Sequence, residues 1–177
     1  IPFIAFIRGQ IKQRMLPVKK IRNEDITMPG LYFEEFTVGQ KITSVGRTVA
    51  EGDIMSFAGL TGDYNQIHTD AHFAAGTQFG QRIAHGLLGM SIAVGLLMRT
   101  GVLEGTVLAF REIVEWKFIK PVFIGDTIHV EMEAKELKSM PRVGGGLAHV
   151  ALEVKNQQDE TLMRGTLAVL VASKQQP

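Results

Sequence analysis

The run HGLLGMSIAVGLLMRT, His85 to Thr100, contains one charged side chain, Arg99, and three glycines. A helix that is apolar on every side has to be covered on every side. The run is too short to cross a bilayer, which takes about 20 apolar residues. It therefore reads as a central core helix wrapped by something larger.

The wrapping material follows it in the chain. TVLAFREIVEWKFIKPVFI, DTIHVEMEAKEL, LAHVALEVKNQ and TLMRGTLAVLVAS each favour strand over helix. In the second, Ile128, Val130, Met132 and Ala134 alternate with His129, Glu131, Glu133 and Lys135. That period predicts a half-buried antiparallel strand with one solvated face. NQQDET reads as a hairpin connection, PRVGGGLA as a flexible link, and Gly125-Asp126 as a turn. Upstream, GQKITSVGRTV is extended, and EGDIMSFAGLTG predicts a short helix over about Asp53 to Leu60. The segment after it reads as loop, with one helical turn past Asp70. The order is strand, helical insertion, buried helix, then four strands. It implies an α+β fold in which an antiparallel sheet curls around one helix.

The bulk numbers agree with a single domain. The 177 residues are 45% apolar and 21% charged and include no cysteine, which removes disulfides, thiolate chemistry and Cys-based metal sites. The net charge is +1. Residues 1–27 hold six basic side chains against Glu24 and Asp25, so the body from Met28 onward is acidic. It has no basic stripe with interleaved aromatics, and nucleic-acid binding is not expected. Residues 1–27 read as a basic extension: an arm, a leader, or sequence foreign to the domain. PGLYFEEFTVGQ opens the domain proper, residues 28–177. A cytoplasmic location is expected, or a mitochondrial one if the acid-poor front is a presequence remnant.

The chemistry concentrates in LTGDYNQIHTDAHF, Leu60 to Phe73. Asp63 and His68 stand five residues apart. Taken singly, an aspartate after a glycine suits a turn, and a lone histidine suits a structural role. Asn65 suits loop support. His68 and His72 have the four-residue spacing of two metal ligands on one helix face. No clear third ligand follows, and no metal is expected. His85 reads as packing or capping the core helix. His129 and His149 read as ordinary strand residues, and Trp116 and Phe118 as sheet or interface residues.

Three stretches together resemble the MaoC-like hydratases, also called (R)-specific enoyl-CoA hydratases: FAGLTGDYNQIHTDAHFA (57–74), RIAHGLLGMSIAVGLL (82–97) and KFIKPVFIGDTI (117–128). The likeness runs from about Leu31 to Ala172. It implies the hot-dog fold, and interconversion of a trans-2-enoyl-CoA with a (R)-3-hydroxyacyl-CoA by addition or loss of water. It implies Asp63 and His68 as the catalytic pair and the Gly86 backbone N–H as the contact to the thioester carbonyl. No prosthetic group is implied, since the CoA thioester is the substrate, and a homodimer or larger homo-oligomer is. Two positions depart from the family's pattern. Gln66 stands where the family has proline, and Val94 falls where some members carry a serine.

The residue types suit the reaction. Water must lose a proton as it attacks the β-carbon, the α-carbon must gain one, and charge on the thioester oxygen must be stabilised. Asp63 is expected to act on water as the base, with His68 orienting it and delivering the proton. Partial burial is expected to bring both groups toward useful pKa values. The first N–H groups of a helix have no intrahelical partner and sit at its positive end, which suits Gly86. A hot-dog thioesterase and a non-catalytic acyl-binding module are the alternatives.

Overall fold

The computed structural model describes residues 30–174. The basic extension at 1–27, with its presequence reading, lies outside the described residues. β1 (Lys41–Thr43) and β2 (Arg47–Thr48) come first. Three helices follow: α1 (Glu51–Thr61), α2 (Gln66–Thr69) and α3 (Ala71–Ala75). The run that opened the sequence analysis forms α4 (Gly86–Met98). Four strands complete the chain: β3 (Val107–Phe118), β4 (Thr127–Met140), β5 (Gly145–Lys155) and β6 (Thr161–Ala172). The sheet runs β1-β4-β5-β6-β3, with β2 also on β4, and its pairings are antiparallel. This is the hot-dog arrangement expected from the resemblance.

The sheet holds α4 through the alternation read in the sequence. Ile128, Val130, Met132 and Ala134 of β4 are buried, and so are Val150, Leu152 and Val154 of β5. On the helix, Leu88, Ile92, Ala93, Leu96 and Leu97 are buried in the same core. Gly89 lets helix and sheet approach closely: a Cβ there would stand 2.7 Å from the Met163 methyl carbon.

The expectation that α4 is covered on every side is corrected in part. Leu87 is 62% exposed, and Ser91 and Gly95 are exposed too, so one face of α4 is bare. The sheet curls past one side of the helix only. β3 is likewise uncovered: Leu108, Phe110, Ile113, Val114 and Phe118 are all exposed. Sequence placed a helix over Asp53 to Leu60; the observed one is longer by a residue or two at each end. The glycine run is less of a link than expected. Only Gly144 turns the chain, with φ +68°, while Gly145 and Gly146 are buried in β5.

Candidate functional site

The segment from Gly62 to Gly86 folds as a series of capped turns. α1 ends at Gly62, whose φ of +78° is the left-handed conformation that terminates helices. Asn65 caps α2, its Oδ1 accepting from the Ile67 N–H at 3.2 Å. Asp70 caps α3, its Oδ1 accepting from the Phe73 N–H at 2.9 Å. The Asn65 side chain thus fixes the first turn of α2. The caps use Asn65 and Asp70, while Asp63 and His68 cap no helix. Asp63 accepts one 3.3 Å bond from the Asn65 N–H.

His68 is 7% exposed. Its Nδ1 lies 2.8 Å from the Ile83 carbonyl oxygen. A carbonyl can only accept, so Nδ1 carries the proton and Nε2 keeps a lone pair. Burial above all, helped by the nearby His85, holds the His68 imidazole below its ordinary pKa, against the opposing pull of the Ile83 carbonyl and Asp63. The ring is accordingly neutral near pH 7. Asp63 differs from the expectation of partial burial: it is exposed in the single chain, at the lip of the site rather than inside it.

A carboxylate oxygen of Asp63, a ring nitrogen of His68 and one of His85 lie within 4.8 Å of one another. That juxtaposition of Asp63 and His68 was expected; the presence of His85 was not. His85 is 3% exposed and precedes α4 at its cap position. It makes no capping bond. Instead its Nε2 lies 2.9 Å from the backbone carbonyl of Asp63, to which it donates. Its ring stacks on His68 with centroids 3.9 Å apart, and Phe57 covers it at 5.1 Å. One signal in the sequence could have flagged it. Histidine is not among the favoured N-cap residues, so its place before a helix-starting glycine asked for another reason.

The donor set could be read as a cation site, but its geometry fits poorly. Two imidazoles share an ion only where their ring planes meet. The His68 and His85 rings are instead stacked, with centroids 3.9 Å apart and planes inclined by 31°, rather than splayed edge-on toward one point as the ligands of a shared ion are. The His68–His72 spacing offers nothing better. The two residues sit on separate helices broken at Asp70, not on one face.

Gly86 opens α4 beside this cluster. Among the described residues its N–H has no backbone acceptor. The glycine also answers a packing demand that sequence did not show. A Cβ at 86 would stand 2.9 Å from the Phe118 ring. An apolar cavity of about 430 Å³ adjoins Gly86, lined by His68, His85, Phe79, Phe118 and Met163, with Lys120 at its edge. A second, of about 500 Å³, adjoins Leu87 and is lined by Phe57, Met90, Val94, Phe110 and Ile113. Val94, where some relatives are expected to carry a hydroxyl, thus contributes apolar wall.

The sequence matches the family described as MaoC like domain over residues 34–156. The protein MaoC of Klebsiella aerogenes is 40% identical over 114 residues, which cover 64% of this chain and 33% of that protein. The 3-hydroxybutyryl-CoA dehydratase of Methylorubrum extorquens is 39% identical over 108 residues, 60% of this chain and 66% of that protein. The chain thus spans about a third of the first relative's length and just under two thirds of the second's. Among solved structures, an R-hydratase of Pseudomonas aeruginosa in the unliganded form superposes with a TM-score of 0.69 at 30% identity, covering 82% of this chain and 88% of that one.

Proposed function

The chain belongs to the MaoC-like domain family, and from that premise we propose that it adds water to a trans-2-enoyl thioester of CoA, giving the (R)-3-hydroxyacyl thioester, or runs the reverse. One observation carries the reading: a carboxylate and a neutral imidazole within 4.8 Å of each other, beside the unpaired amide that opens α4. One water can bridge two acceptors at that separation, since each hydrogen bond spans about 2.7–3.0 Å. The ionised Asp63 takes a proton from this water as its oxygen bonds to the β-carbon. The His68 Nε2 lone pair accepts the water's other hydrogen and orients it. The Gly86 N–H receives the charge that moves onto the thioester oxygen. The Asp63 carboxyl then returns its proton to the α-carbon, and no group outside the chain and substrate takes part. The hollows on either side of the first turn of α4 are apolar enough for an acyl chain and a thioester arm.

We assign the assembly to a homodimer built on β3. It is the long edge strand of the sheet, and its exposed Phe110, Ile113 and Val114 make it the kind of edge that pairs with another chain. Among the described residues no helix is long and apolar enough to cross a membrane.

The test follows short and branched trans-2-enoyl-CoAs by loss of the conjugated absorbance, with thiol release measured alongside. Asp63→Asn and His68→Ala should each lower kcat/KM about 10²–10⁴-fold, the usual worth of a positioned acid or base. Turnover left unchanged by both substitutions would sink the mechanism. Thiol release without loss of the double bond would make the protein a thioesterase instead, and binding with neither reaction would make it an acyl-binding module.

A further inference from the structure

We propose that His85 is a positioning residue: its Nε2–H anchors the Asp63 backbone at the start of α4, so that the carboxylate and the His68 imidazole stand on one water beside the Gly86 amide. The inference rests on the hydration reading and deepens it.

Four observations converge. His85 is nine-tenths buried, which is costly for a polar ring without partners. Its single hydrogen bond goes to the carbonyl of residue 63, twenty-two positions upstream, at 2.9 Å. That bond ties the end of the Gly62 turn directly to the residue before Gly86. Its face covers His68 at 3.9 Å, which leaves the His68 ring fixed between that stack and the Ile83 carbonyl. Lastly, the other ring nitrogen, Nδ1, is buried with no partner among the described residues. A residue that only capped or packed would gain nothing from an imidazole with one nitrogen orphaned among apolar neighbours such as Phe57. What the imidazole adds over phenyl is the one donor aimed at Asp63. His85 touches neither water nor substrate in this scheme and acts through Asp63.

Two substitutions separate the hydrogen bond from the bulk. H85F keeps the ring and loses the donor. H85Q loses the ring but places an amide N–H near the position of Nε2. With an enoyl-CoA as substrate, H85F should lower kcat about 10²-fold with little change in KM, the usual effect of a misplacement near 1 Å. H85Q should recover about tenfold of that loss. If H85F does not fold, H85N, whose amide is too short to reach the carbonyl, stands in for it with the same expectation. A 13C label on the Asp63 carbonyl gives a second readout that needs no substrate. Its resonance should move in H85F and return toward the wild-type position in H85Q. Full kcat in H85F, or equal losses in H85F and H85Q, would overturn the inference. A wild-type chain that hydrates no enoyl-CoA would overturn the hydratase reading instead. The carbonyl resonance then decides the anchor by itself: unmoved in H85F, the anchor falls; moved, it stands.

Discussion

Replacing Gly86 with alanine tests the packing around the helix start. The added methyl would sit 2.9, 3.1 and 3.2 Å from three carbons of the Phe118 ring. Ordinary contact begins near 3.4 Å, so the ring or the first turn of α4 must retreat by about half an ångström. Overpacking of this kind costs about 1–3 kcal/mol. Against it stands the better helix propensity of alanine, worth about 0.5–1 kcal/mol. Gly86→Ala alone should therefore destabilise by about 0.5–2 kcal/mol. In a Phe118→Ala background the obstacle is gone, and the same substitution should stabilise by about 0.5–1 kcal/mol. The coupling between the two sites is then about 1–3 kcal/mol, the range seen for residues in direct contact. Urea unfolding of the four proteins at one fixed chain concentration measures it. A coupling below about 0.5 kcal/mol, or a stabilised single variant, would show that the ring swings aside freely and that packing does not demand glycine here.

Three further outcomes follow from the site and its surroundings. His68 titrates below the ordinary imidazole value of about 6.5 in the folded chain. The unfolded chain therefore takes up a proton below that pH which the folded chain refuses, and stability present above pH 6.5 is lost as the pH falls toward the folded value. The urea midpoint should drop more between pH 7 and pH 5 in the wild type than in His68→Phe, and equal drops would refute the burial argument. Gln66→Pro should stabilise by about 0.4–1 kcal/mol. Gln66 is the first residue of α2 and Asn65 before it already has ψ 135°, both compatible with proline; a lower melting temperature would contradict this. Ile113→Asp with Phe110→Asp should turn the dimer into monomers in sedimentation velocity, whereas an unchanged dimer would place the interface elsewhere.

Much of the site was legible because it is local. Gly62, Asn65 and Asp70 act on backbone groups within four residues of themselves, and short-range hydrogen bonding reads directly from spacing. Asp63 and His68 also bond within the fold, to the Asn65 N–H and the Ile83 carbonyl, and it was their place in the Gly-Asp-x-Asn-x-x-His pattern that singled them out. Gln66, the departure from the family's proline, costs the loop little, since the Asn65 cap and the His85 anchor hold what the ring would have stiffened. His85 was legible only as a neighbour of the helix start. Its bond to the carbonyl of residue 63 depends on where the loop lies over α4, and no local pattern encodes that.

The fold divides in the same way. The period-two alternation of β4 and the apolar composition of α4 sufficed to predict a sheet curled around a helix, because burial of a face is written into which residues repeat along it. Which faces this one chain leaves bare was decided by the tertiary structure. Leu87 on α4 and Ile113 on β3 look as apolar in sequence as the buried Leu88 and Leu167, yet the sheet curves past them. Hydrophobicity states that a side chain gains by leaving water; the curvature of the sheet determines which of those side chains the chain itself covers.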